Sequence, residues 1–264
     1  MNKREQNKLE NKKAMKKLVP ISIVAVVIGG IIGGVAVFDS TQNTAEWIKS
    51  LLGDFAYTFS PWGVVLVSVL GIAISLYLYK TSTKVYENNL PDDPKEEMEE
   101  ELFNKVERSL GIAMIVNSFT MVGSFTLYGV MIAYFERYFI DDNFVALVAA
   151  LVAFIVSVLG QAKIQQLLTD FIKIMHPDKM GRTYDFKFSE KWEESCDELE
   201  KLMIYKSAFK AYKTTNITCC VALVVMILLS LYFHYGPLPA VIVGVIWLTL
   251  TMSYSVEAMR LDKK

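Results

Sequence analysis

Residues 62–79 read WGVVLVSVLGIAISLYLY, eighteen positions without one charge. A helix of about 20 mainly apolar residues crosses the hydrocarbon core of a bilayer. The stretch shows no alternation of apolar and polar positions, which excludes a half-buried strand. In lipid a lone segment must also satisfy its own backbone hydrogen bonds, which leaves a helix. Working outward from this block, five more of the same character appear, near 18–38 (LVPISIVAVVIGGIIGGVAVF), 110–135, 144–160, 217–233 and 238–256. The expected fold is therefore all-α: a polytopic integral membrane protein with six transmembrane helices in a single membrane domain, 1–264.

Bulk composition supports this only weakly. The 264 residues are 53% hydrophobic and 21% charged, against about 25% charged in a soluble domain. Distribution matters more, because apolar blocks alternate with segments dense in Lys, Glu and Asp. The apolar core of 18–38 is longer than the roughly 7–15 residues of a signal-peptide core, and Phe38-Asp39-Ser40 is a poor cleavage site. A retained anchor is expected there.

Basic residues set the orientation, because Lys and Arg collect on the cytoplasmic side. With the N-terminus inside, the cytoplasmic segments are 1–17, 80–109, 161–216 and 257–264, and they hold 25 of the 27 Lys and Arg residues. Only Lys49 and Arg137 remain outside. Both termini are thus expected in the cytoplasm. The outer face is expected to be small: a loop over Asp39–Pro61, the turn ERYFIDDN and the short HYGPLP.

The inner segments carry helical spacing. In DPKEEMEEELFNKVERSL, Asp93 suits an N-cap, Pro94 a first helical position and Glu96 a capping-box partner. Met98, Leu102 and Val106 then fall on one face. In SEKWEESCDELEKLMIYKSAFKAYK, Trp192, Cys196, Leu199 and Met203 form one stripe, continued by Leu202, Tyr205, Phe209 and Tyr212. Lys206, Lys210 and Lys213 follow near the inner membrane surface, where anionic lipid attracts them. Cytoplasmic amphipathic helices are expected, with Trp192, Leu199, Tyr205, Phe209 and Tyr212 as candidate docking residues.

The segment MHPDKM (175–180) contains the His-Pro-Asp tripeptide of J-domain co-chaperones. Its preceding segment, QAKIQQLLTDFIKI, runs directly out of a span, and no strongly basic free-standing helix accompanies it. NNLPDDPK (88–95) has the same layout, with Leu90 in the place of His176. Pro ends the preceding helix and Asp favours the following turn, so the tripeptide reads as a helix terminator.

Inside the spans no ionisable residue lies at mid-depth, which counts against an ion-coupled carrier. Uncharged polar residues do occur. Asn117, Ser118 and Thr120 lie in the third span and Thr249, Thr251 and Ser253 in the sixth. Asn117, Thr120, Thr249 and Thr251 are candidate intramembrane polar residues, either as interhelical glue or as a pocket between the two spans. Gly29, Gly30, Gly33 and Gly34 make two overlapping Gly-x-x-x-Gly pairs, a candidate helix-packing face. Three unspaced cysteines and two distant histidines offer no metal cage. Nucleotide-binding and hydrolase motifs are absent. No catalytic, cofactor-binding or metal residues are assigned, and no nucleic-acid partner is expected.

The text HPDKMGRTYDFKFSEKWEESCDELEKLMIYKSAFKAYK (176–213), followed by a two-span end, resembles a family of multi-pass membrane proteins of Gram-positive bacteria, the domain-of-unknown-function family numbered 3169. The resemblance covers nearly the whole chain. It implies a bacterial plasma-membrane location and brings no known activity. The expected function is that of a non-enzymatic membrane component whose cytoplasmic helices dock a protein partner or the lipid surface. The alternative is a permease-like subunit moving a small or amphipathic solute. Partners are the bilayer and a cytoplasmic or membrane protein, with a second copy of the chain left open.

Overall fold

The computed structural model describes residues 16, 39–90, 98–141, 143–233 and 236–262. The expected first span at 18–38, with Gly29, Gly30, Gly33 and Gly34, lies outside the described residues, as do Asp93, Pro94, Glu96 and His234.

Among the described residues seven helices follow: α1 (Asp39–Asn88), α2 (Glu100–Ile132), α3 (Phe135–Ile140), α4 (Phe144–Met175), α5 (Phe188–Glu194), α6 (Glu198–Phe233) and α7 (Leu238–Asp262). No strand occurs among the described residues. Five of these helices are long and apolar enough to cross a bilayer, within Glu46–Asn88, Glu100–Ile132, Phe144–Met175, Glu198–Ser230 and Leu238–Leu261. They coincide with the second to sixth expected spans, except that the third, expected to reach 135, ends at Ile132, and they are the helices of a membrane-embedded protein.

Three expectations need correction. Residues 39–61 are not a loop, because α1 runs through them with Pro61 in its interior. Proline has no N–H to give the carbonyl four residues earlier, here that of Tyr57. The Tyr138 hydroxyl donates to this Tyr57 oxygen at 2.5 Å, so the helix continues without leaving a buried acceptor empty. Second, α2 starts at Glu100 with Glu99 as its N-cap, so Met98 is not on the helix and no side chain caps it.

Third, the stripe from Trp192 to Met203 is not one helix. It breaks at Ser195–Asp197 between α5 and α6. The break is chemical: Asp197 Oδ1 accepts from the Glu200 N–H at 2.6 Å, and Glu200 Oε2 accepts from the Asp197 N–H at 2.9 Å. This reciprocal capping box starts a new helix.

The chain divides into two compact units, one of which is Leu52–Ile204 while the other contains Tyr205–Lys264. In the first, α1, α2 and α4 bury positions that alternate three and four apart. These include Val64, Ser68, Gly71 and Ser75 on α1, Leu110, Ala113, Asn117, Thr120 and Ser124 on α2, and Ser157, Gln161, Ile164 and Leu168 on α4. That is the repeat of a coiled-coil seam. Its two ends are apolar. Tyr57, Val64, Met131, Tyr138, Leu147 and Ala150 cluster at one, and Val106, Leu110, Ile164, Leu168, Phe171 and Met175 at the other. The middle is polar.

In the second unit α6 and α7 form an antiparallel hairpin. Tyr212 stacks on Tyr254 with ring centroids 4.4 Å apart, and the Trp247 indole N–H donates to Asn216 Oδ1 at 2.6 Å. Near the turn, the Ser230 hydroxyl donates to the Gly236 carbonyl at 2.8 Å. Gly236 has φ +74°, a conformation that costs a residue with a side chain more than glycine.

Candidate functional site

The middle of the α1/α2/α4 seam is a ladder of neutral polar side chains. Ser68 Oγ lies 3.3 Å from Ser124 Oγ, which lies 3.2 Å from Ser157 Oγ. The Gln161 amide donates to Ser157 Oγ. Asn117 Nδ2 donates to Gln165 Oε1 at 3.2 Å and to the Gln161 carbonyl at 3.4 Å. One face of α1 opposes this ladder with residues small enough for close approach. A Cβ placed on Gly71 would stand 2.7 Å from Thr120 Cβ, nearer than real side chains come. Small residues at such contacts let helices meet in lipid, where apolar burial itself supplies no preference for protein over tails.

The ladder is uncharged, so it can orient a small polar group or join helices, and no proton donor of shifted acidity is needed for either. Each interhelical bond contributes about 0.6 kcal/mol in membranes on average. Several acting together give the seam its register.

A second cluster lies at the far end of α4. His176 ends that helix, as a terminator should, and its Nε2 stands 3.4 Å from Glu107 Oε1 on α2 while its ring meets Phe103 edge-on. Lys179 is buried. Its ammonium meets the Glu200 carboxylate and lies 3.5 Å from Asp178 Oδ2 and 3.8 Å from Cys196 Sγ. Burial opposes the charge on Lys179, but the Glu200 bond and the nearby negative groups outweigh it and hold the ammonium above its ordinary range. Burial pushes the Cys196 thiol up, only partly opposed by Lys179. The Ser195 hydroxyl accepts from the Met180 N–H at 3.1 Å and donates to the Trp192 carbonyl at 2.7 Å. The loop 176–181 is thereby tied to the end of α5.

A family described as "Protein of unknown function (DUF3169)" matches residues 12–257. The chain belongs to this family. The match takes in the α1/α2/α4 seam, the Lys179 cluster and most of the α6–α7 hairpin of this DUF3169 protein. No curated protein and no solved structure matches it.

In the DUF3169 chain the candidate polar residues separate. Asn117 and Thr120 are buried in the seam, Asn117 bonded to α4 as described and Thr120 to the Val116 carbonyl of its own helix at 2.7 Å. Thr249 and Thr251 also close on their own helix, onto Val245 and Trp247. The docking candidates separate as well. Leu199, Tyr205 and Phe209 are exposed, whereas Trp192 is half-buried against Phe188 and Tyr212 half-buried against Tyr254. Ser68, Ser75, Ser124, Ser157, Gln161 and Gln165 were missed as a set. Their signal is the near-heptad run Ser60, Ser68, Ser75 and Ser82, with Gln161 and Gln165 one turn apart on α4.

Proposed function

We propose that this DUF3169 protein is a non-enzymatic component of the plasma membrane of a Gram-positive bacterium, with six spans and both termini cytoplasmic, whose inner helices dock a partner protein. One observation carries the docking reading. Helix α6 begins at Glu198, nineteen residues before the apolar block at Ile217, and exposes Leu199, Met203, Tyr205 and Phe209 along that extension. At about 1.5 Å per residue the extension reaches roughly 28 Å beyond the span. A continuous helix leaving the bilayer holds Leu199 and Met203 at its start away from the lipid plane, whereas Phe209, nearer the span, meets Tyr212 and Tyr254. A protein groove suits Leu199 and Met203 better than headgroups do. Lys206, Lys210 and Lys213 lie nearer the span, where anionic lipid would steady the base of the helix.

Affinity capture in mild detergent tests this. The full chain is expected to bring down one stoichiometric partner, and the Leu199→Ala, Met203→Ala variant is expected to lose it while keeping its melting profile. Self-association alone in both samples would overturn the reading. Binding of the wild-type chain's inner segment to anionic vesicles, abolished by the same changes, would move the docking surface to lipid.

The hydroxyl and amide ladder favours a second reading, a permease-like subunit that moves a small solute along the seam. Solute flux into proteoliposomes that falls with Asn117→Leu in a stably folded chain would favour it over docking.

A further inference from the structure

The seam register stacks its polar side chains in successive layers. Ser68, Ser124 and Ser157 form one, held by direct contacts. One step along, Gly71 meets Thr120, and Gln161 follows Ser157 by one turn. The pairings Ser68–Ser124, Gly71–Thr120 and Ser82–Ser109 set an antiparallel register of α1 on α2 that brings Ser75 to the step of Asn117, and Asn117 bonds the Gln161 carbonyl and Gln165.

Three atoms in these layers are enclosed and accept nothing from the described residues: Ser75 Oγ, Asn117 Oδ1 and Gln161 Oε1. They come from three different helices. Their residues are 0%, 5% and 2% exposed. The amide orientations are not arbitrary, because Asn117 Nδ2 is committed to Gln165 and Gln161, and Gln161 Nε2 to Ser157. Turning the Asn117 amide would set its oxygen against the Gln161 carbonyl, and turning that of Gln161 would leave an N–H unmet in place of the oxygen. The Thr120 hydroxyl cannot help, since it donates to Val116.

The missing group must therefore bring at least two donors, be small, and be neutral. A neutral group suits layers in which, among the described residues, no charged side chain stands to balance an ion. Water meets all three conditions, and buried waters commonly make about three hydrogen bonds to otherwise unmet groups. We propose that the middle of the α1/α2/α4 seam is a water-binding site whose ligands are Ser75 Oγ, Asn117 Oδ1 and Gln161 Oε1. The site belongs to the bundle and does not depend on the docking reading.

Magnetic resonance on the full chain in lipid nanodiscs tests it, with side-chain amides of Asn and Gln labelled and magnetisation transferred from water. The amide protons of Asn117 and Gln161 are expected to show water cross-peaks of long residence. Ser75→Val, which removes one ligand and fills its space, is expected to reduce both several-fold without loss of helicity. Wild-type protein lacking both cross-peaks, while amides at the helix ends show theirs, overturns the proposal. Cross-peaks present in choline chloride and lost on adding potassium or ammonium also overturn it, assigning the site to a cation.

Discussion

Tyr138 is the side chain that lets α1 pass through Pro61. Its hydroxyl takes the Tyr57 carbonyl that proline cannot serve and lies 3.5 Å from Ser60 Oγ, while Arg137 beside it pairs with Asp54 at 2.7 Å and covers the Tyr57 ring. Tyr138→Phe leaves that carbonyl buried and unmet, and is expected to cost about 1–3 kcal/mol, read as a lowered midpoint in detergent melts. Pro61→Ala restores the missing N–H, so the same change should cost clearly less in that background. Equal costs in the two backgrounds would mean that Tyr138 acts by packing alone. Cys196 invites a similar test. Cys196 is buried beside Lys179, and burial suppresses the acidity of its thiol. It is expected to react slowly with maleimide at neutral pH, whereas a cysteine introduced at exposed Glu198 should react fast.

At the level of helices, the seam explains which glycines matter. Gly71 lies against Thr120, but nothing approaches the place of a side chain on Gly111 of α2. Gly71→Leu is expected to force α1 from α2 and lower the melting midpoint sharply. Gly111→Ala should raise stability by up to about 1 kcal/mol, because it removes backbone freedom without a collision. The start of α6 gives a third case. Asp197→Ala removes one half of the capping box and is expected to cost about 1 kcal/mol, fraying the first turn of the helix that carries Leu199 and Met203. Hydrogen exchange at residues 198–203 would report it. That cap was legible in the text CDELE, where Asp and Glu stand three apart, but the apolar stripe running across it suggested one unbroken helix. The heptad run of serines was equally legible. Its polarity disguised it, since a seam search looks for large apolar residues, whereas in lipid small and polar ones fill that role.

For the protein as an assembly in its membrane, the proposed inward orientation has a direct check. In a cysteine-free background, a cysteine at Glu198 is expected to take an impermeant thiol reagent only after cells are opened, and one at Lys49 in intact cells. The reverse pattern would place α5 and the start of α6 outside and remove the docking proposal. Length and apolar content of the blocks, and hence the helical membrane class, were set by the amino-acid sequence alone. These are local sums: a run of about 20 apolar residues must cross lipid as a helix wherever its neighbours lie. The text around 176–213 likewise carried the family. What only the tertiary structure decided is which helix meets which. That Asn117 reaches α4, that Tyr138 rescues the carbonyl behind Pro61, and that Lys179 finds Glu200 all depend on register between segments 21 to 81 residues apart. Contacts over such distances are fixed by the packing of whole faces, and no local pattern of residues encodes them.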